Sequence, residues 1–150
     1  PATPHLPRPT CHTHLPCQVS IVRSVHLSHD IKRLAAGGEQ EDGSGVVCVF
    51  DSSCDGLVSG HAMLASWPHT MPVWTVRFSS NDRLLAAAGY DATLSLYDPH
   101  AMVLLQRVGP FGSVTGPPFI WSLGWSADSA RITVGCWSGA AFVYNVCLDR

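Results

Sequence analysis

The sequence predicts an all-β protein built from about three copies of one unit, and two observations carry that expectation. The first is self-similarity. A shift of 47 residues lays residues 73–98 on residues 120–145 without a gap, pairing Trp74 with Trp121, Val76 with Leu123, Phe78 with Trp125, Ser79 with Ser126 and Tyr97 with Tyr144. Upstream, residues 21–38 align with the same segment at a shift of 51, which sets Leu27 on Phe78, and residues 45–51 align at 47. The four additional residues, "EQED" at 39–42, fall where a solvent-facing turn tolerates insertion and a strand does not.

The second observation is period-two patterning inside each copy. In the middle copy Val76 and Phe78 alternate with Thr75 and Arg77, the pattern of a strand over Val73–Phe78. A turn follows at "SSND". Residues 84–88 then form a second short apolar run, 89–92 a second turn, and 93–97 a third strand that ends at Asp98 and Pro99, where proline stops the ladder. Residues 102–107 are expected to add a fourth, outer strand. Four short strands in about 45 residues, repeated, are the content of a propeller blade.

These residues resemble the WD-repeat (WD40) family, whose units run from a Gly-His pair through a "V-x-x-V-x-F-S" strand to a terminal Trp-Asp. His69 stands at the family's loop histidine with Pro68 for its glycine, "VWTVRFSS" matches the first strand, and "LYD" ends the third with Tyr97 for tryptophan. The other copies end in "VFD" and "VYN", and the resemblance covers roughly residues 19–145. It implies a partial β-propeller of about three four-stranded antiparallel blades, at 19–67, 68–107 and 118–146, the last one incomplete. Within the region 19–150 it also implies a buried hydrogen-bonded set in the middle blade. His69, Asp91 and Tyr97 match that set and Ala87 replaces its serine, so an Asp91–His69 hydrogen bond is expected to contribute about 1–3 kcal/mol. Ser44 and Ser138 occupy the aspartate position of the other copies.

Composition narrows the function. The chain has 150 residues, 46% of them hydrophobic, enough for one core of ordinary size. A net charge of −2 with scattered basic residues gives no field for nucleic acid or an acidic membrane. No apolar run approaches the roughly 18 residues of a transmembrane helix, and no secretory leader is visible. The six cysteines form no C-x-x-C pairs, and Cys48 and Cys136 fall inside expected strands, so a reducing, cytoplasmic setting is expected. Because propellers have about four to eight blades, and the chain starts at "PATPH" and stops at "NVCLDR", it is expected to be a piece of a longer protein. Further blades or another chain would be needed for closure.

Residues 1–18, rich in Pro, His and Cys, read as a tail or linker. Cys11, His12, His14 and Cys17 carry zinc-ligand chemistry, but no second ligand pair follows, and no metal or other cofactor is expected. There is no G-x-S-x-G elbow, P-loop or H-E-x-x-H, so no catalytic residue is assigned. The glycines of 109–118 read as a connection between blades, and His61 as a loop residue.

The aromatic residues are the functional lead. Tyr90 and Trp137 occupy equivalent turn positions, and Trp74 and Trp121 equivalent positions near the start of the first strand. Trp74 and Trp121 share strand parity with Val76 and Leu123 and are expected to be core. Tyr90 and Trp137, with Asp91 and the Glu39, Glu41 and Asp42 turn, are expected to contact a partner, since exposed aromatics form protein-binding hot spots. The resulting expectation is a non-catalytic interaction scaffold for proteins or peptides. The alternatives are the propeller segment of a larger multidomain enzyme, and a fragment with no function of its own.

Overall fold

A computed structural model describes residues 19–53, 62–111 and 119–147. The readings on Cys11, His12, His14 and Cys17, on His61 and on 112–118 lie outside the described residues. Three antiparallel meanders follow one another along the chain. The first sheet holds β1 (Ile21–Leu27), β2 (Arg33–Glu39), β3 (Gly45–Asp51) and β4 (Met63–His69). The second holds β5 (Val73–Phe78), β6 (Leu85–Gly89), β7 (Leu94–Asp98) and β8 (Val103–Val108), and the third holds β9 (Ile120–Trp125), β10 (Arg131–Cys136) and β11 (Ala141–Asn145). None of the sheets closes on itself. The first strands of successive sheets lie side by side, β1 against β5 and β5 against β9. The arrangement is a partial β-propeller with two four-stranded blades and one three-stranded blade.

β5 falls on the expected residues, and β6, β7 and β8 each begin one residue later than the pattern suggested. One expectation is corrected. Residues 68 and 69 do not open the second blade: Pro68 and His69 end β4, opposite Val46 and Gly45. A proline is admitted there because β4 is the outermost strand of its sheet, where a missing N–H breaks no ladder.

Each sheet is held by its neighbour. Val73, Val76, Phe78, Leu85, Ala87 and Tyr97 on one face of the second sheet pack on Ala35, Val47 and Val49 of the first. Gly37 makes this approach possible, because a Cβ there would lie 2.7 Å from a Val76 methyl and 2.8 Å from a Val73 methyl. The opposite face of the second sheet, Ala86, Ala88, Leu94 and Leu96, receives Ile120, Leu123, Ile132 and Val134 of the third. Ala35 in the first seam and Ala86 and Ala88 in the second leave room for larger side chains opposite, so that the surfaces interdigitate at the density of a protein interior. Polar contacts fix the register across both seams. The Val76 amide donates to Ser24 Oγ at 3.2 Å and the Phe78 amide to His26 Nδ1 at 3.1 Å, while Trp125 Nε1 donates to the Arg77 carbonyl at 3.1 Å.

The first turn of each sheet repeats one construction. Ser28, Ser79 and Ser126 donate to the Oδ1 of Asp30, Asn81 and Asp128, and each serine Oγ accepts the amide five residues on, at Arg33, Leu84 and Arg131. The next residue lies in the left-handed region, with φ of 57° at Ile31, 58° at Asp82 and 60° at Ser129. From that position Asp82 reaches back to the preceding sheet and accepts the amides of His29 and Asp30, at 2.9 and 2.8 Å, together with His29 Nδ1 at 2.9 Å. Ser129 Oγ likewise accepts the Asn81 amide at 3.1 Å. Burial opposes ionisation of Asp82, but the hydrogen bonds from His29 and Asp30 outweigh it and hold the carboxyl below its usual range. Ile31 has no acceptor to offer and is 66% exposed, a β-branched side chain where the backbone favours Asn or Gly.

Two substitutions test this account. Asp82→Ala is expected to lower stability by about 1–3 kcal/mol at neutral pH, by stranding the two amides of the preceding turn. In the parent that contribution is present above the ordinary carboxylate pKa of about 4 and is lost as pH falls through the lowered folded value, so the two proteins converge in acid. Ile31→Asn is expected to raise stability by about 1 kcal/mol, by relieving a left-handed β-branched residue. Urea denaturation at pH 7 and pH 3 reads both.

Candidate partner-binding face

The functional side chains gather at the end of the sheets where the first strands begin and the second strands finish. Their placement starts from a bulge that recurs in all three sheets. Register slips between Val22 and Ser24, between Val73 and Thr75, and opposite Gly135 and Cys136, so Arg23, Trp74 and Trp121 are the extra residues. A bulge breaks the alternation of a strand. Val73 and Val76 therefore both face the seam, and the residue after Val73 is turned out of it.

This corrects the core assignment of Trp74 and Trp121. Parity with Val76 and Leu123 holds only in an unbroken ladder. Trp74 is half-buried and Trp121 is 55% exposed. The two rings meet edge to face, with centroids 4.8 Å apart.

Across the hairpin from each bulge stands a second equivalent position, occupied by Glu39, Tyr90 and Trp137. Each pairs with its own bulge residue. Arg23 and Glu39 form an ion pair, Trp74 and Tyr90 meet at 5.9 Å, and Trp121 and Trp137 at 5.1 Å. The pairs also connect from sheet to sheet, since the Arg23 guanidinium lies 5.9 Å from the centre of the Trp74 ring, within cation–π range. Phe119, which the repeat alignment did not single out, stacks on Tyr90 at 3.8 Å, and its carbonyl accepts the Trp137 amide at 2.8 Å. The signal for Phe119 lay in its place just before a first strand, beside two expected aromatic positions. Trp137 is 61% exposed and Tyr90 38%, as the turn positions suggested. Trp121, Ser122, Gly135, Cys136 and Trp137 line a shallow open depression.

The acidic residues share this end. The Ser44 hydroxyl and amide hold the Asp42 carboxyl below its usual range, so Asp42 is anionic at neutral pH. Glu41 is exposed beside it, and Asp91 accepts the Thr93 amide at 3.0 Å, bracing the Tyr90 turn.

His69 is not bonded to Asp91, as the resemblance implied. At the end of β4 it is 5% exposed and meets the Tyr97 hydroxyl through Nε2 at 2.5 Å. Asp91 spends its near oxygen on Thr93 instead. Burial lowers the His69 pKa to about 4 and raises that of Tyr97 to about 12, so the hydrogen bond joins a neutral phenol and a neutral imidazole. Trp67 packs on the Tyr97 ring at 4.4 Å, adding the aromatic mass that a tryptophan at position 97 would have supplied.

No group of three or more His, Cys, Asp or Glu side chains able to hold a metal occurs among the described residues. No helix among them is long and apolar enough to cross a membrane.

The chain is thus a repeat protein of the β-propeller class with an aromatic, acid-rimmed face. Residues 62–98 match the family model of the WD40 repeat, described as WD domain, G-beta repeat. The match runs from the start of β4 through the whole of β7. With the repetition on either side of it, the match supports a WD-repeat family for the chain. No curated protein is similar enough to the chain to match it.

Because His69 is neutral when folded and has an ordinary pKa of 6.5 when unfolded, the unfolded chain binds more protons between pH 6.5 and about 4. Its contribution to stability is full above pH 6.5 and falls through that window by about 3 kcal/mol. His69→Gln is expected to be less stable than the parent at pH 7.5, with a flatter dependence between pH 7 and 4, as read by thermal unfolding across that range.

Proposed function

We propose that this chain is a non-catalytic interaction segment that contacts other proteins or peptides through the Trp121 and Trp137 end of its sheets, in a reducing, cytoplasmic setting. The WD40 repeat supports a protein-interaction scaffold in general. The single observation that supports this face is the connected row of aromatic residues ending in two tryptophans that are each more than half exposed. Large rigid side chains in contact with one another, partly desolvated and rimmed by charge, are what interface hot spots require. Tyr90, Asp91, Glu39, Glu41 and Asp42 form the surrounding contacts in this reading.

The same reading assigns residues 19–150 to the propeller segment and 1–18 to a tail. Val22, Val25 and Leu27 on the first sheet, at 45–54% exposure, and Val143 on the third, at 64%, are the positions at which the middle sheet is buried by its neighbours. Further blades, from this protein or another chain, would cover them.

Trp121→Ala and Trp137→Ala are expected to cost less than about 1 kcal/mol each, because the side chains are largely solvated. Immobilised chain would be used to enrich proteins from cell extract, with quantitation by mass spectrometry. The double variant is expected to lose its captured proteins by at least about tenfold, the loss typical of hot-spot residues, while Leu105→Ala on β8 retains them. Equal capture by all three proteins would refute this face as the contact surface.

A further inference from the structure

We propose that the joint between the first and second sheets is a proton-operated hinge: protonation of His26 and His69 frees the first sheet along β1 and β4, while the turn at Asp82 keeps it tethered. The four histidines among the described residues, His26, His29, His69 and His100, all stand at this joint or at the turn that anchors it. The polar contacts across the joint between the second and third sheets use none of them. The hinge operates whatever the aromatic end binds.

Hydrogen bonding divides these histidines into two kinds. A backbone amide only donates, so His26 Nδ1, which receives the Phe78 amide at 3.1 Å, is bare and the proton of the neutral ring is on Nε2. A second proton must go to Nδ1, where it faces the amide hydrogen, and the bond across the joint is lost. His69 stands at the outer edge of the same joint, 5% exposed, with Nε2 2.5 Å from the Tyr97 hydroxyl. A charged ring there is buried with no carboxylate bonded to it, because Asp91 accepts the Thr93 amide instead. His29 and His100 respond the other way. The Asp82 carboxylate and the Asp82 carbonyl only accept, so His29 Nδ1 and His100 Nε2 already donate to them, at 2.9 and 3.0 Å. A further proton on either ring leaves its bond in place, and it turns the His29–Asp82 contact into an ion pair.

The charges facing each ring agree with this division. His26 is met by Arg77 of β5, by His29, whose ring centre is 6.2 Å away, and by Asp82. Burial first, then Arg77 and His29, hold its pKa below the ordinary value, with Asp82 opposing. His69 is met by Asp91 of the β6–β7 turn and Arg107 of β8; burial lowers its pKa to about 4, with Asp91 opposing and Arg107 assisting. Both rings therefore take a proton more readily once the joint is open. Their contribution to closure is full above the ordinary pKa of 6.5 and is lost as pH falls through the lowered values. Asp82, held below its usual range, stays charged over this window and keeps the amides of His29 and Asp30. The second joint is tied by Ser80 Oγ to the Ser126 carbonyl, the Asn81 amide to Ser129 Oγ and Trp125 Nε1 to the Arg77 carbonyl. None of those groups titrates there. Opening the first joint alone withdraws Arg23 from the Trp74 ring and uncovers Val73 and Val76.

The test uses the full chain labelled with nitrogen-15, followed by NMR at pH 7.5 and pH 5.0. Hydrogen exchange is expressed as protection relative to an unstructured chain at the same pH. Protection of the Val76 and Phe78 amides, which bond to Ser24 and His26 across the first joint, is expected to fall at least about tenfold between the two conditions. Protection of the His29, Asp30 and Asn81 amides and of the Trp125 indole is expected to change by less than about threefold. His26→Asn places Oδ1 as many bonds from the backbone as Nδ1 and takes no proton, so it is expected to limit the fall at Phe78 to about threefold, the remainder coming from His69. If that variant does not fold, long-range nitrogen–proton spectra of the parent decide: a proton on His26 Nε2 at pH 7.5 is expected, and a proton on Nδ1 would overturn the hinge. Equal loss at both joints, unchanged protection of Val76 and Phe78, or an undiminished fall in His26→Asn would overturn it as well.

Discussion

A β-sheet of four short strands has two faces and no means of burying either by itself. That constraint organises this chain. The middle sheet solves the problem by pressing one face on the sheet before it and the other on the sheet after it. The result is uneven in a way that follows from position. In the middle sheet β6 and β7 are buried almost throughout, whereas β1 and β11 hold only exposed and half-buried residues. The apolar seams supply most of the stabilisation, at roughly 25 cal/mol for each Å² withdrawn from water. The polar contacts across them, from Asp82, Ser129, Ser24 and His26, are fewer but directional. They decide which register the seams adopt.

The bulge at the start of each first strand links this packing to function. It lets two apolar residues, Val73 and Val76, enter the seam where simple alternation would bury only one of that pair. The residue between them that the slip displaces is delivered to the end of the sheet. The same irregularity therefore builds the core and stocks the surface with Arg23, Trp74 and Trp121. Since the sheets are related by near-identical geometry, the displaced residues come into line, and three hairpins of modest size present one continuous face.

The left-handed residue of each first turn serves a similar double purpose. A side chain there points back along the row of sheets, where Asp82 and Ser129 find unpaired amides of the preceding turn. Ile31 occupies the equivalent position with no described sheet before it, and its exposed aliphatic side chain belongs with Val22, Val25 and Leu27 on the same open side. The buried His69–Tyr97 pair, by contrast, joins the last strand of one sheet to the third strand of the next. It is a third kind of tie between neighbours and the one most sensitive to acid.

The amino-acid sequence by itself determined the all-β class, the three-fold repetition, the strands from β5 to β8 to within one residue, and the exposure of Tyr90 and Trp137. All of these depend on local patterning or on a comparison of the chain with itself. Tertiary structure decided the rest. Whether Trp74 and Trp121 are core or surface turned on a one-residue slip in a ladder, which strand parity cannot register. His69 chose Tyr97 over Asp91 because β4 ends where the imidazole reaches the phenol, while Asp91 is held by its own turn. Phe119 joined the aromatic face only when β9 was laid beside β5. In the last two cases the deciding quantity was a distance between residues of different sheets, and such distances exist only after the sheets have packed.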